Sequence, residues 1–101
     1  MLDYARQSVA MARGRQRSDL ESDDMLQLAL TRLVEIIGEA ASRVSKPTRE
    51  IHRDIPWSDI VSMRNRLIHG YDVVDLNILW DTLAIDLPTL IAALEKIVEE
   101  E

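Results

Sequence analysis

Residues 25–44, MLQLALTRLVEIIGEAASRV, carry a strong helical periodicity. Apolar side chains recur at every third or fourth position, which places them on one face of an α-helix. This stripe consists of Leu26, Leu30, Leu33, Ile37, Ala40, Ala41 and Val44. Leu28, Val34 and Ile36 widen it, as is typical of a helix that packs against neighbours on more than one side. The segment therefore predicts a central helix.

A helical segment also precedes the central one. Leu2, Ala5, Val9 and Ala12 recur at helical spacing, and Gly14 follows them as a stop signal. After a polar connection, Ser18 and Glu21 fit a capping box, in which each side chain caps the start of a helix.

Further helices are expected after the central one. Pro56 suits the first turn of a helix over 57–69, and Gly70 is placed to end it in a left-handed cap. Asp75 is expected to cap the next helix, and Pro88 to begin or kink the last one. No strand pattern competes, so we predict an all-α antiparallel four-helix bundle with short extra helices.

Composition limits the domain count and the chemistry. With 101 residues, 47% of them apolar, the chain is long enough for one domain, 1–101, and not comfortably for two. It has no cysteine, which excludes disulfides, thiolate metal sites and a cysteine nucleophile. We find no signal peptide, and no apolar run approaches the roughly 20 residues that span a bilayer. We therefore expect a cytoplasmic protein without a membrane partner.

Charge is distributed unevenly along the chain. The net charge is −6, but residues 72–101 hold eight acids and one lysine, a sum of −7. Residues 1–71 hold eleven basic and ten acidic residues, a sum of +1, and ten of the twelve basic residues in the chain are arginine. Arginine suits bidentate phosphate contacts, so a local cluster can hold phosphate although long-range attraction of RNA would be weak.

Most of the chemically active side chains lie within residues 63–71, MRNRLIHGY. On a helix over 57–69, Asn65 and His69 share one face, and Arg64 lies about 100° around from Asn65. A histidine in the last turn of a helix changes protonation near neutral pH, as a general acid or base requires. Arg64 is suited to neutralise a phosphate oxygen, and Tyr71 is expected beside the same pocket.

This polar set suits cleavage of RNA without a metal. The 2′-hydroxyl of RNA is the nucleophile, so the protein has to move protons and stabilise the crowded phosphate. Two acid–base groups serve this reaction best, and a two-fold dimer would bring two copies of His69 together. Taken singly, each residue has a plainer interpretation: a capping histidine, solvated arginines and a half-buried tyrosine. Their occurrence together within a few residues is what favours function.

At these residues the chain resembles the HEPN-domain proteins of the HepT-like toxin type. The resemblance rests on Arg64 and His69 with four residues between them, followed by Gly70 and Tyr71. It extends to LVEIIGEAASRVS at 33–45, IPWSDIVSMRNRLIHGY at 55–71 and VDLNILWDTLAIDLP at 74–88. Such proteins are dimeric all-α bundles, and many are metal-independent endoribonucleases that need no cofactor.

The resemblance also implies residue roles and a partner. Arg64 and His69 would be catalytic, Asn65 would support them, and Arg66 is left as a candidate phosphate contact. The implied partner is a minimal nucleotidyltransferase antitoxin that transfers an adenylyl group to Tyr71 and so blocks the site. The runner-up interpretation is a catalytically silent subunit that binds a nucleotide or a nucleotidyltransferase in the same cleft. A purely structural helical dimer ranks last.

Other candidate residues favour structural roles. Glu35 and Glu39 share a helix face, as a metal pair would, but helix carboxylates usually face water. His52 is expected on the surface, and Trp57 and Trp80 are more often core or interface anchors than base-stacking platforms. A basic loop of Arg13, Arg15 and Arg17 suits RNA or an acidic tail, although a solvated loop is the more common outcome.

Overall fold

The computed structural model describes residues 1–69 and 73–100, except for the side chains at 64, 68, 69, 73 and 98–100. Within these residues the chain forms seven α-helices, one π-helical turn and one pair of two-residue strands. The elements run in the order α1 Leu2–Ala12, α2 Arg17–Ser22, α3 Asp24–Ser42, α4 Lys46–Ile51, α5 Trp57–Leu67, β1 Ile68–His69, β2 Val73–Val74, α6 Leu76–Asp81, the π turn Thr82–Asp86 and α7 Leu87–Glu100. The predicted all-α fold class is confirmed.

The central helix α3 is the predicted one, ending two residues earlier than the sequence pattern indicates. Asp23 caps its start, since the Asp23 carboxylate accepts a hydrogen bond from the Leu26 backbone N–H at 3.0 Å. Its end is held by Arg49 from α4, whose guanidinium donates to the Val44 and Ala41 carbonyl oxygens at 3.1 and 2.8 Å. Ala41 lies in the last turn of α3 and Val44 two residues beyond it, so this arginine ties α4 to the end of the helix and to the residue that follows.

Helix α3 packs against both α1 and α5, which explains its wide apolar stripe. Gly38 allows the closest approach: a Cβ there would lie 3.2 Å from the Ile60 carbonyl oxygen and 3.7 Å from that of Val61. Around this contact lies one continuous apolar core. Its fully or almost fully buried members include Ala5, Leu20, Leu30, Val34, Ile37, Ala41, Ile55, Met63, Leu67, Leu79 and Leu87.

Helix α2 begins two residues earlier than the predicted Ser18–Glu21 capping box implies, and that box is wrong. The Gln16 backbone N–H donates instead to the Asp19 carboxylate at 2.7 Å, and α2 begins at Arg17. Glu21 pairs with the Arg17 guanidinium at 2.8 Å. Gln16 and Asp19, three residues apart, thus form a capping box two positions before the predicted pair.

Helix α5 ends at Leu67, so the predicted helix over 57–69 is two residues too long. Residues 68–69 leave the helix and pair antiparallel with 73–74, with Ile68 opposite Val74 and His69 opposite Val73. The predicted absence of strands is therefore wrong: the β-branched residues Ile68, Val73 and Val74 favour extended backbone. The predicted Gly70 cap lies outside the described residues.

The last third of the chain is one helical unit interrupted by a π turn. Asp75 begins it, as predicted, by accepting from the Asn77 and Ile78 backbone N–H groups at 3.0 and 3.1 Å. The π turn ends two residues before Pro88 and closes with a bond from the Leu87 N–H to the Thr82 carbonyl. Proline has no N–H and crowds the preceding turn, which accounts for the widened turn at this point.

By length and composition, the stretch Leu76–Ile97 of this unit would also suffice to cross a membrane. The expectation that no apolar run approaches that length is therefore wrong. One face of the stretch supplies buried leucines to the core, namely Leu79, Leu83, Leu87, Leu90 and Leu94. Core helices of water-soluble bundles are often this apolar, so the feature on its own does not assign a membrane role.

Candidate functional site

The last turn of α5 presents the polar residues that the sequence singles out. Asn65 and Arg66 are both exposed there, while Met63 and Leu67, on either side of them, are buried. The backbone of Arg64 belongs to the same helix, and its side chain lies outside the described atoms. Helical periodicity therefore separates two anchoring apolar residues from a polar surface within a single turn.

His69 has a different backbone setting from the predicted one. It lies in β1, two residues beyond the end of α5, and is opposite Val73 in the antiparallel pair. The predicted shared helical face of Asn65 and His69 is therefore wrong, because α5 ends before His69. The side chain of His69 lies outside the described atoms, and Tyr71 lies outside the described residues, so their predicted roles stay predictions.

Asp75 closes this end of the bundle. Its backbone N–H donates to the Leu67 carbonyl at 2.6 Å, and its carboxylate caps α6. The end of α5, the strand pair and the start of α6 are thus joined through one residue. The sequence predicted the cap and missed the link to Leu67, since a backbone contact between distant residues leaves no pattern in the sequence.

Arg66 lies at the edge of a cavity of about 200 Å³ between α5 and α7. Its guanidinium donates to the Asp59 backbone carbonyl at 2.9 Å. Apolar side chains including Met63, Leu87 and Leu90 line the cavity, together with the three aspartates Asp54, Asp59 and Asp86. We name it the acidic cavity. The predicted phosphate contact by Arg66 stays a prediction. The nearby carboxylates make the electrostatic potential at the cavity more negative, which disfavours binding of an anion.

The sequence did not single out these aspartates. Asp54 and Asp86 each stand two residues before a proline at the beginning of a helix. That repeated spacing is the signal that could have drawn attention to them.

The other candidates stand apart from the end of α5. Glu35 pairs with Arg32 at 3.3 Å, and Glu39 pairs with Arg43 at 3.4 Å, all on α3. Within the described part of the chain, no group of three histidine or acidic residues could hold a metal ion. His52 is half-buried, and its backbone carbonyl accepts from the Trp57 indole at 3.0 Å. Trp57 is thus a core anchor, as predicted.

Comparison with known proteins decides the family. The family model HepT-like, described as "Ribonuclease HepT-like", matches residues 1–97. The chain belongs to the HepT-like family. This confirms the resemblance that the motif around Arg64 and His69 indicated.

Individual relatives agree with that assignment. A protein of Thermococcus cleftensis named "Probable ribonuclease HepT" is 39% identical over 79 residues, which are 78% of this chain and 72% of that protein. A protein of Caldanaerobacter subterraneus subsp. tengcongensis named "Putative RNase TTE0752" is 39% identical over 83 residues, 82% of this chain and 74% of its own length. No solved structure matches this chain.

Proposed function

We propose that this HepT-like protein is a metal-independent endoribonuclease toxin of a type VII toxin–antitoxin system. The observation that carries the proposal is the family match over residues 1–97, which spans the whole Arg64-to-Tyr71 motif. The relatives named as ribonucleases support RNA as the substrate. The cytoplasm, where RNA is plentiful, is the proposed site of action.

The chemistry begins at the RNA itself. One His69 imidazole accepts the 2′-hydroxyl proton, and the oxygen attacks the adjacent phosphorus to form the O2′–P bond. The Arg64 guanidinium stabilises the added negative charge on the phosphate oxygens. A second imidazolium gives its proton to the departing 5′-oxygen as the P–O5′ bond breaks. The products are a 2′,3′-cyclic phosphate and a 5′-hydroxyl end.

A homodimer supplies the second histidine. The only other histidine of the chain, His52, lies before α5 and its backbone supports Trp57. One chain therefore offers one acid–base group at the motif, and a two-fold arrangement offers two. Sedimentation is expected to give a dimer at micromolar concentration, and a monomer would remove this part of the mechanism.

The decisive experiment measures RNA cleavage by the purified protein in EDTA. We expect the parent to leave 2′,3′-cyclic phosphate ends, and we expect Arg64→Ala and His69→Ala to lose at least about 100-fold in rate. Asn65→Ala should lose less, because Asn65 orients and does not transfer protons. His52→Ala is the matched control and should cleave like the parent. Equal loss in His52→Ala and His69→Ala would contradict the assignment.

Regulation is proposed to act through Tyr71. A minimal nucleotidyltransferase antitoxin would transfer an adenylyl group from ATP to the tyrosine oxygen and release pyrophosphate. The new phosphodiester adds a negative charge and a bulky base, which exclude the RNA phosphate from Arg64. Tyr71→Phe should then escape inhibition by the antitoxin with ATP, whereas persisting inhibition would contradict this account.

A second function remains as the alternative: a silent subunit that binds a nucleotide or a nucleotidyltransferase through the same cleft. The net charge of −6 is the observation that favours it over an RNA-binding enzyme. If a folded, dimeric, unmodified parent cleaves none of several RNAs, this alternative replaces the nuclease proposal.

A further inference from the structure

A second cavity lies between the end of α1 and the last helical unit. Its volume is about 300 Å³, the lower end of the range typical of ligand sites. Its apolar walls come from α1, α6, the π turn and α7, and consist of Val9, Ala12, Trp80, Leu83, Ala84 and Pro88. Arg13 and Arg15 complete the lining. We name it the basic cavity.

Local backbone geometry brings the two arginines to this cavity. Gly14, between them, has φ of +77°, a left-handed conformation that glycine adopts without strain. The Arg15 backbone N–H then donates to the Ala12 carbonyl at 3.0 Å, so the chain turns back against the end of α1. The predicted helix stop at Gly14 is thus also the device that places Arg13 and Arg15 together.

Arg13 has an unused guanidinium. Five other arginines pair with carboxylates: Arg6, Arg15, Arg17, Arg32 and Arg43. Arg49 and Arg66 donate to backbone carbonyls. The side chain of Arg13 makes no hydrogen bond or ion pair with the described residues, and the Arg15 pair with Asp23 is long, at 3.6 Å. A positive charge beside an apolar wall is therefore free to bind an anion.

The lining selects the kind of ligand. Trp80 is partly buried, lines the cavity and packs against the core, which fixes its place. An indole gives a stacking surface for a flat ring, and arginine suits phosphate. A ligand with both a flat ring and a phosphate is a nucleotide unit. Single-stranded RNA contains one at every residue, and choosing it over other nucleotides rests on the proposed ribonuclease function.

The position of the basic cavity fits an RNA strand that also reaches the end of α5. Helix α6 begins at Leu76, directly after Asp75, which links to the Leu67 carbonyl. Trp80 comes four residues later, about 6 Å along the helix axis. We propose that the basic cavity is a subsite of single-stranded RNA, where Trp80 stacks on a base and Arg13 and Arg15 hold phosphate.

The test separates binding from cleavage. Binding is measured by fluorescence anisotropy with a short labelled 2′-O-methyl RNA, which lacks the nucleophile and cannot be cleaved. Arg13→Ala should weaken binding about fivefold and reduce the slope of log K against log salt by about 0.7, as expected for one lost phosphate contact on a single strand. Arg53→Ala is the matched control, since Arg53 is exposed and outside the cavity. It should leave affinity and slope unchanged.

Tryptophan fluorescence tests the stacking. Trp57→Phe leaves Trp80 as the only tryptophan, and RNA should quench its emission. Trp80→Phe, which retains an apolar ring in the wall, should remove the quenching. If either substitution unfolds the chain, the exposed Arg13 still decides the question.

Two results would overturn the subsite. One is equal RNA affinity and equal salt slope in Arg13→Ala, Arg53→Ala and the parent. The other is binding of an acidic peptide that depends on Arg13 while the RNA does not depend on it. Cleavage of unmodified RNA in EDTA is scored separately. A parent that cleaves while Arg13 has no effect on binding rejects the subsite alone. A parent that binds through Arg13 without cleaving rejects the nuclease alone.

Discussion

The buried face of α5 and the exposed side chains of its last turn differ in their surroundings. Ile60 and Met63 lie in the core, and the Ile60 carbonyl comes close to Gly38 of α3. Asn65 and Arg66, two and three residues after Met63, are exposed. Substitutions on the buried face should change the free energy of unfolding, whereas substitutions in the last turn should change RNA cleavage. The contrast teaches that one helix can bury one set of side chains in the core and keep a separate polar set exposed.

The largest effect on stability is expected from Met63→Ala. Met63 is 2% exposed, so the substitution removes buried apolar surface and leaves a cavity, at a cost of about 3 kcal/mol. Asn65→Ala, two residues away and exposed, is the matched control and should cost under about 0.5 kcal/mol. Urea unfolding measures both values. Similar losses for the two variants would break the comparison between the two sides of α5.

Gly38→Val should have the next largest effect. A Cβ at Gly38 would lie 3.2 Å from the Ile60 carbonyl oxygen, and the branched methyl groups would push α3 and α5 apart, at a cost of about 2 kcal/mol. Gly38→Ala should cost less, because the gain of about 1 kcal/mol in helix propensity offsets part of the crowding. If valine were as stable as glycine in urea unfolding, the close contact between the helices would not be rigid.

The smallest effect on stability, about 1 kcal/mol, is expected from Asp75→Ala, which removes the cap of α6. Its effect on cleavage should be larger, about tenfold or more, because loss of the cap loosens the start of α6, where the residue 75 backbone N–H holds the Leu67 carbonyl, and misplaced groups at the end of α5 react slowly. Asp75→Asn keeps a capping side chain and should restore most of both. Thermal unfolding measures the stability of each variant, and RNA cleavage by the same samples measures its rate. A change in stability with no change in rate would show that the cap does not position the motif.

The sequence predicted the buried side of the fold better than its polar end. The stripe through Leu30 and Ile37 predicted α3 because burial imposes a helical period on the apolar residues. The end of α5 was misplaced because Leu67, Ile68 and His69 fit a helix as well as a short strand. Whether residues 68–69 continue the helix or form a strand depends on their pairing with Val73 and Val74 and on the hydrogen bond from the Asp75 N–H to the Leu67 carbonyl. These contacts join residues that are apart in the sequence, and a local sequence pattern does not predict them.

In the candidate site, too, one part was predictable from the sequence and another was not. The motif residues are recognisable because chemistry needs particular side chains close together, and the family match confirms the resemblance they carry. The basic cavity was not predictable as a unit. Arg13 and Trp80 are 67 positions apart in the chain, and only the packing of α1 on the last helical unit brings them into one lining.

The π turn between Thr82 and Asp86 also bears on how this chain is compared with its relatives. The buried residues Leu79, Leu83 and Leu87 follow at two successive four-residue steps, each of which in an ideal α-helix would drift about 40° around the axis, or about 80° in all. The wide turn absorbs one extra residue and keeps the three leucines in phase. A π turn holds one residue more than an α-helical turn. A relative with a regular α-helix here would be one residue shorter, and the correct alignment would place a single gap between positions 82 and 86 and none in the flanking loops.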